Sequence, residues 1–292
     1  TSIKRFWREL QFIRSFNKEN YDVVINLTSG DRGNLIAWIS NATTRIGYSN
    51  KSWFFRKSLT HELPKQELRH TVDANLDPLR LLNIPISNKS VEIFWNSKDE
   101  QAISSKLTNI NNFIHLHPVS RWLFKCISDN TMAQIIDYCQ LNIGLKVVIT
   151  ASEDKFEVEK VNKILSLTKS KPINLSGKLS LKETAALNKK AKLFIGVDTS
   201  IMHISASNNV PVLAFFGPSG ACHWGPWDNS IATSGYSRIK GFQVMGMHRV
   251  FSESRPCQPC GKDGCDGTKI SDCLMNLDFE KIKSNIVEML DD

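Results

Sequence analysis

From Asn112 onward the sequence alternates between short apolar runs and amphipathic segments, and this alternation constrains the fold more than any other feature. Apolar runs of strand length lie at 113–117, 145–150, 172–175, 192–197 and 211–216. Helical patterns lie between them at 130–142, 154–168, 180–190 and 200–208. Strands that alternate with helices in this way form a parallel sheet with helices on both faces. The sequence therefore predicts a doubly wound α/β domain that is closed by a last amphipathic helix at 277–290.

The first part of the chain carries a shorter version of the same pattern. A helical pattern at its start precedes an apolar run at 21–27, a helix at 35–40, a strand at 45–48 and a helix at 71–82. These segments supply too few strands for a complete α/β domain, so we expect an incomplete, apparently truncated Rossmann-like domain that begins upstream of residue 1. We place the N-terminal domain at 1–105 and the C-terminal domain at 106–292, with a linker around 96–111.

Length and charge limit the classes of partner. A chain of 292 residues is long enough for two domains. Its 37 basic and 29 acidic residues give a net charge of +8, but the excess is spread along the chain, so we do not expect a nucleic-acid partner. Charges throughout residues 1–20 exclude a signal-peptide core, and the apolar runs are too short to span a bilayer, which makes the cytoplasm the default location.

The segment from Phe194 to His203 carries the strongest functional signal. A buried strand runs into Asp198, Thr199 and Ser200, and a helix follows at once. Ligands of open α/β sheets bind at such strand ends, and the first amides of a helix favour a phosphate. His203 lies one turn into the helix, on the side of its start. The alternative interpretation is a helix N-cap with a packed histidine.

A second candidate segment, His115 to Lys125, follows the first strand of the same domain. Ser120, Arg121 and Lys125 place a hydroxyl and two cations at another strand end, where they suit phosphate charge. The alternative is a solvated basic loop. Glu153, after the next strand, is placed to bind ribose hydroxyls as a nucleotide-binding acid, or it is a carboxylate at a helix start.

Other motifs narrow the choice. The glycine patterns of dinucleotide dehydrogenases and P-loop ATPases are absent from the sequence. Four cysteines lie within a short segment, at Cys257, Cys260, Cys265 and Cys273. Four thiolates at this density predict a structural zinc site, with free thiols or a disulfide pair as the alternative.

Several of these motifs together resemble glycosyltransferase family 9, the ADP-heptose:lipopolysaccharide heptosyltransferases. The resemblance rests on Gly-Val-Asp-Thr-Ser-x-x-His-x-x-Ala from Gly196 to Ala206, on Phe215-Phe216-Gly217-Pro218, on His117-Pro118-x-Ser120-Arg121-Trp122, and on the run at 21–27. The segment Trp53-Phe54-Phe55-Arg56-Lys57-Ser58 is most similar to the heptosyltransferase III branch. The resemblance covers nearly all of the chain.

The resemblance implies a GT-B fold, in which two Rossmann-like domains face a cleft. It implies that heptose is transferred with inversion from ADP-heptose to the inner core of lipopolysaccharide, without an obligatory metal. The ADP-heptose would bind the C-terminal domain through Ser120, Lys125, Glu153, Asp198, Thr199, Ser200 and His203. Lys125 and Asp198 would carry the catalytic roles, while the family's general base would lie upstream of residue 1. Ser200 stands where many members have Gly.

The acceptor is expected on the N-terminal domain. Lys51, Arg56 and Lys57 lie around the aromatic run 53–55, and cations beside an apolar surface suit a phosphorylated lipid acceptor. A solvated basic face over buried aromatics is the alternative. The lipid acceptor also suggests peripheral contact with the cytoplasmic face of the inner membrane. The remaining alternatives for function are transfer of another nucleotide sugar and a nucleotide- or glycan-binding module without turnover.

Overall fold

The computed structural model describes residues 2–28, 30–49, 57–64, 68–108 and 110–291. The chain folds into two compact units, residues 1–88 and 89–292. The sequence places a boundary after residue 105, whereas residues 89–105 belong to the second unit in the structure.

The first unit contains a parallel three-stranded sheet in the order β1-β2-β3. Its elements are α1 (Ser2–Lys18), β1 (Val23–Asn26), α2 (Asp31–Ile39), β2 (Thr44–Tyr48), β3 (His61–Leu63), α3 (Thr71–Ala74) and α4 (Asp77–Leu81). The single helix predicted over 71–82 is wrong, because two short helices occupy this segment. Pro78 lies in the first turn of α4, where its missing N–H costs no hydrogen bond, and this favours a new helix start there.

The second unit contains a seven-stranded sheet in the order β6-β5-β4-β7-β8-β10-β9. Its strands are β4 (Phe113–His117), β5 (Lys146–Ile149), β6 (Ile173–Asn174), β7 (Leu193–Val197), β8 (Val212–Phe215), β9 (Gln243–Met245) and β10 (His248–Phe251). Its helices are α5 (Ser97–Lys106), α6 (Asp129–Asp137), α7 (Lys155–Ser166), α8 (Leu181–Asn188), α9 (Ser200–Ser207), α10 (Ala221–Trp224) and α11 (Phe279–Asp291). All described pairs are parallel except β9 with β10. The predicted doubly wound α/β fold is confirmed.

The predicted linker at 96–111 is wrong, because most of it forms helix α5. The Asn96 side chain accepts from the amides of Lys98 and Asp99, and the Asp99 carboxylate accepts from the Asn96 amide. This reciprocal capping box satisfies amides that would otherwise lack a partner. Ile103 is fully buried, so the helix packs against the sheet through a narrow apolar face.

Helices cover both faces of the larger sheet. One core layer contains Ile114, Ile149 and Ile195 from the sheet together with Ile135 of α6 and Ile286 of α11. The opposite layer contains side chains from the sheet and from α5 and α8, namely Phe113, Val148, Ile103 and Leu187. Strands β4 and β7 are buried along their whole length, as expected for parallel strands between two helical layers.

The strand order fixes where a ligand binds. β5 and β6 lie on one side of β4, while β7 and β8 lie on the other. The direction of strand addition therefore reverses between β4 and β7, and ligands of open α/β sheets bind at the carboxyl ends of the strands at such a point. In the part of the chain that the structure describes, no helix is both long and apolar enough to cross a membrane.

Candidate functional site

A cavity of about 950 Å³ lies at the carboxyl ends of β4, β5, β6 and β7. It is lined by every residue that the sequence assigns to the nucleotide, namely Ser120, Lys125, Glu153, Asp198, Thr199, Ser200 and His203. Its volume is in the range of small-molecule binding sites. Segments far apart in the sequence thus meet at one sheet edge, while their individual roles stay predictions.

An ion pair between Lys125 and Asp198 lies in this cavity. Lys125 ends a short 3₁₀ turn after β4, and Asp198 directly follows β7. The Lys125 Nζ donates to Asp198 Oδ2 over 2.6 Å, and the Ser219 hydroxyl donates to the same oxygen over 2.5 Å. The Asp198 side chain is almost buried, whereas the Lys125 side chain is 23% exposed. The carboxylate therefore holds a cation at the cavity wall that remains accessible to a ligand.

The start of helix α9 forms the adjacent wall. Thr199 is the N-cap, and its hydroxyl oxygen accepts from the Ile201 amide over 3.1 Å. Ser200, the first helical residue, is exposed. The other amides of the first turn have no acceptor within the helix, and the helix dipole adds positive character. Together with Lys125, this wall favours an anionic group.

His203 lies one turn further along α9. Burial lowers the pKa of its imidazole, and Lys125 lowers it further, while the Asp198 carboxylate opposes both effects. The ring is therefore neutral at pH 7, and it offers one hydrogen-bond donor and one acceptor to the cavity.

The opposite end of the cavity includes residues that the sequence analysis missed. Glu153 is exposed there, whereas the Glu157 carboxylate is buried and accepts from the Ser152 amide over 3.0 Å. This bond fixes the loop that carries Glu153. Residues 177–181, after β6, complete the wall. The signal for them was available, since they too follow a strand at its carboxyl end.

The four clustered cysteines are not grouped as metal ligands in the described part of the chain. In the described part of the chain, which includes all of them, no group of three or more His, Cys, Asp or Glu is placed to hold a metal ion, and these thiols are free. Cys257 is exposed, whereas Cys273 is buried in the core. The Gln258 side chain donates to the Gly217 carbonyl over 3.0 Å and fixes the turn beside Cys257. The predicted structural zinc is therefore not supported by this arrangement.

The residues predicted to bind the acceptor lie in the first unit. Lys51 and Arg56 lie outside the described residues, as does the aromatic run 53–55. Lys57 is described and exposed.

The stability of the second unit is expected to depend on pH through its buried histidines. Burial lowers the pKa of His248 to about 4, and that of His117 to about 4. The unfolded chain therefore binds more protons than the folded chain between about pH 4 and 6.5. The free energy of unfolding is highest above this window and decreases as the pH is lowered through it. For His248 alone we expect a loss of about 2 kcal/mol in the free energy of unfolding between pH 7 and pH 5.

Urea unfolding of the wild type and of His248→Gln at several pH values measures this effect. The amide binds no proton in either state, so the variant is expected to show the shallower dependence of stability on pH. Equal slopes in the two proteins would contradict the assignment of a neutral buried imidazole.

Comparison with known proteins tests the predicted resemblance. The family model described as "Glycosyltransferase family 9 (heptosyltransferase)" matches residues 9–243. The chain is 30% identical to an Escherichia coli protein named "Lipopolysaccharide heptosyltransferase 3" over 236 residues, which cover 78% of this chain and 68% of that protein. The resemblance is confirmed over most of the chain.

Solved structures support the fold. A glycosyl transferase family 9 structure from Veillonella parvula has a TM-score of 0.76 and 23% identity, with 95% of this chain and 76% of that chain covered. The E. coli heptosyltransferase WaaC with ADP has a TM-score of 0.67 and 13% identity, with 99% of this chain and 79% of that chain covered. Because the sequence, the doubly wound fold and the family model agree, the chain belongs to glycosyltransferase family 9, the heptosyltransferases.

Proposed function

We propose that this glycosyltransferase moves heptose from ADP-heptose to the inner core of lipopolysaccharide, with inversion at the anomeric carbon. The observation that carries the proposal is the cavity at the β4–β7 switch point, in which Lys125 and the start of α9 present positive charge to one space. This arrangement suits a diphosphate, and the family of the chain makes a nucleotide-linked heptose the expected donor.

The same cavity suits the leaving group of the reaction. The acceptor hydroxyl attacks the anomeric carbon and loses its proton to a carboxylate base, which we assign to no described residue. The bond between the anomeric carbon and the phosphate oxygen breaks, and ADP leaves with the electron pair. Negative charge on the phosphate oxygen grows in the transition state, so a fixed cation and helix dipole at that oxygen lower the barrier.

The other predicted residues would orient the donor. Asp198 holds Lys125 in place through the ion pair, and Thr199 fixes the start of α9 as its N-cap. Glu153, on the exposed loop at the far end of the cavity, would accept from the ribose hydroxyls. Ser120, Ser200 and His203 offer further hydrogen bonds to the diphosphate.

Product formation from purified ADP-heptose and a lipopolysaccharide acceptor that lacks the heptose tests the proposal. We expect a mass increase of one heptose in the acceptor, release of ADP, and the same rate in the presence of a chelator, because the family resemblance implies that no metal is obligatory. Turnover with another nucleotide sugar, or ADP binding without turnover, would support the alternative functions instead.

The acceptor site is proposed to include Lys51, Arg56 and Lys57. Neutralising all three is expected to raise the acceptor KM and to flatten its dependence on salt, because interactions between exposed charges are screened within about 10 Å at 0.1 M salt. Donor affinity should barely change, since the donor is assigned to the other unit. Steady-state kinetics at several salt concentrations measures this effect. Equal losses for donor and acceptor would indicate unfolding, and an unchanged acceptor KM would contradict the assignment.

A location in the cytoplasm, with peripheral contact at the inner membrane, fits a lipid-linked acceptor and remains a prediction from the sequence. No nucleic-acid partner is proposed.

A further inference from the structure

A buried row of hydrogen-bonded polar side chains runs from the helical layer to the cavity. The Asn188 side chain contacts His115 Nδ1 over 2.9 Å, and His115 Nε2 lies 2.7 Å from the Thr150 hydroxyl oxygen. The same hydroxyl oxygen lies 2.9 Å from His117 Nδ1. All of these side chains are buried, and His115 and Asn188 are fully so. The assigned donor site does not use His115, Thr150 or Asn188, so their arrangement needs its own explanation.

The direction of the hydrogen bonds in this row of side chains is set at its end in the helical layer, at Asn208 and Asn188. The Asn208 side-chain amide lies 2.9 Å from the backbone carbonyl of Ala185. A carbonyl only accepts, so the Asn208 atom facing it is the NH₂ group. Its second hydrogen is donated to Asn188 Oδ1 over 3.0 Å. The oxygen of Asn188 therefore faces Asn208, and its NH₂ group donates to His115 Nδ1 and to the Ser205 hydroxyl.

The direction of these hydrogen bonds determines which ring nitrogen carries the proton in both His115 and His117. Because His115 Nδ1 accepts, the proton of the neutral ring is on Nε2, which donates to the Thr150 oxygen. The single hydroxyl hydrogen of Thr150 is then left for His117 Nδ1, so the proton of the neutral His117 ring is on Nε2. Burial supports neutral rings, since it lowers the pKa of His115 and lowers that of His117 to about 4.

The remaining ring nitrogen of His117 is the one left for the cavity. His117 is 5% exposed, and it lines the cavity together with Lys125 and the first residues of α9. Within the described residues, the ring of His117 makes its hydrogen bond through Nδ1. Some buried polar side-chain atoms are closed off from solvent and have no hydrogen-bond partner, and Nε2 is not one of these atoms. A polar atom on an almost buried side chain therefore offers a hydrogen to a ligand in the cavity.

We propose that His117 donates its Nε2 hydrogen to an anionic oxygen of a bound nucleoside diphosphate, and that Thr150 and Asn188 are positioning residues that hold this tautomer. The identity of the ligand as a nucleoside diphosphate rests on the proposed function, whereas the tautomer of His117 does not. The His117 ring is neutral, so its N–H group selects one phosphate oxygen by geometry, whereas Lys125 supplies positive charge.

The tautomer is measured first, without any ligand. In protein labelled with ¹⁵N at histidine, two-bond ¹⁵N–¹H correlation spectra separate the two neutral tautomers, and His117→Asn identifies the signals of His117. We expect the Nε2–H form at pH 7 in the wild type and in Thr150→Ser, which keeps the hydroxyl. In Thr150→Val, which has a similar shape without the hydroxyl, we expect a mixture of tautomers. A wild-type ring that is protonated on Nδ1, or unchanged spectra in Thr150→Val, would overturn the network.

The affinity for ADP is measured next, by titration calorimetry. Loss of a hydrogen bond to a charged oxygen is expected to weaken ADP binding by about tenfold or more in His117→Asn, and by a smaller factor, about threefold to tenfold, in Thr150→Val. Thr150→Ser should restore most of the affinity. Thr131→Val is the matched control, because the Thr131 hydroxyl is also buried and hydrogen-bonded, to Ser128, but lies outside the cavity. It should lower stability without changing ADP affinity.

The outcomes separate the inference from the proposed function. A wild-type protein that does not bind ADP contradicts the proposed donor and the ligand of His117 with it, while the spectra still decide whether the network exists. Wild-type binding with an unchanged affinity in His117→Asn contradicts the inference alone. An equal loss of affinity in Thr131→Val and Thr150→Val would reduce the network to a structural role and overturn the proposal.

Discussion

Replacing Lys125 by alanine is expected to lower kcat by about 100-fold to 1,000-fold, the range found when one preorganised electrostatic contact to a transition state is removed. The reason is that negative charge on the leaving phosphate grows as the bond to the sugar breaks, so the cation matters more in the transition state than in the ground state. The acceptor KM is expected to stay close to that of the wild type. Steady-state kinetics with the donor and acceptor varied separately measures both constants.

Lys106→Ala is the matched control for this variant. Lys106 belongs to the same unit and also forms an ion pair, with Glu183 at 3.3 Å, but it lies outside the cavity. It should keep the wild-type kcat. Normal turnover in Lys125→Ala would remove this lysine from the mechanism, and a matching loss in Lys106→Ala would point to a general effect on folding.

The parts of the fold that the sequence predicts well are those with strong periodic burial. β4 and β7 are buried from end to end, so they read as continuous apolar runs. Helix α5 was missed because Ser, Lys, Asp and Glu dominate it, and it packs through little more than Ile103. β9 and β10 were missed because they are short and because β10 joins the sheet beside β8, a pairing that local sequence does not encode.

In the site, too, the local sequence predicts the types of residue but not the contacts that depend on strand pairing. The types of residue at Lys125 and Asp198 indicate phosphate chemistry, but their ion pair depends on the pairing of β4 with β7, in which His117 lies opposite Gly196. An added Cβ on Gly196 would come within 2.7 Å of the His117 carbonyl oxygen, so this close approach needs glycine. The spacing of the four cysteines predicts a zinc site only from their closeness in sequence, and the structure does not group them as metal ligands within the described residues.

Asp198→Ala is expected to weaken ADP binding by about tenfold. Asp198 lies at the edge of the sheet and its carboxylate fixes both Lys125 and the Ser219 hydroxyl, so its loss frees the cation from the cavity wall. A carboxylate also repels a diphosphate, and this effect acts in the opposite direction. We expect positioning to dominate, because Lys125 is 23% exposed and reaches solvent when unpaired. Calorimetry with ADP, together with thermal unfolding to confirm the fold, measures the result.

A double-mutant cycle decides between the two effects of Asp198. If the carboxylate acts by holding Lys125, its removal has nothing left to disturb in a Lys125→Ala background. The double variant should then bind ADP as well as Lys125→Ala alone, or better, because an unpaired negative charge has gone. The coupling between residues in direct contact is expected to be about 1 kcal/mol or more, well above the 0.3–0.5 kcal/mol scatter of roughly additive, distant sites. Additive losses would mean that Asp198 contributes to ADP binding independently of Lys125, through Ser219 or through the loop that leads into α9.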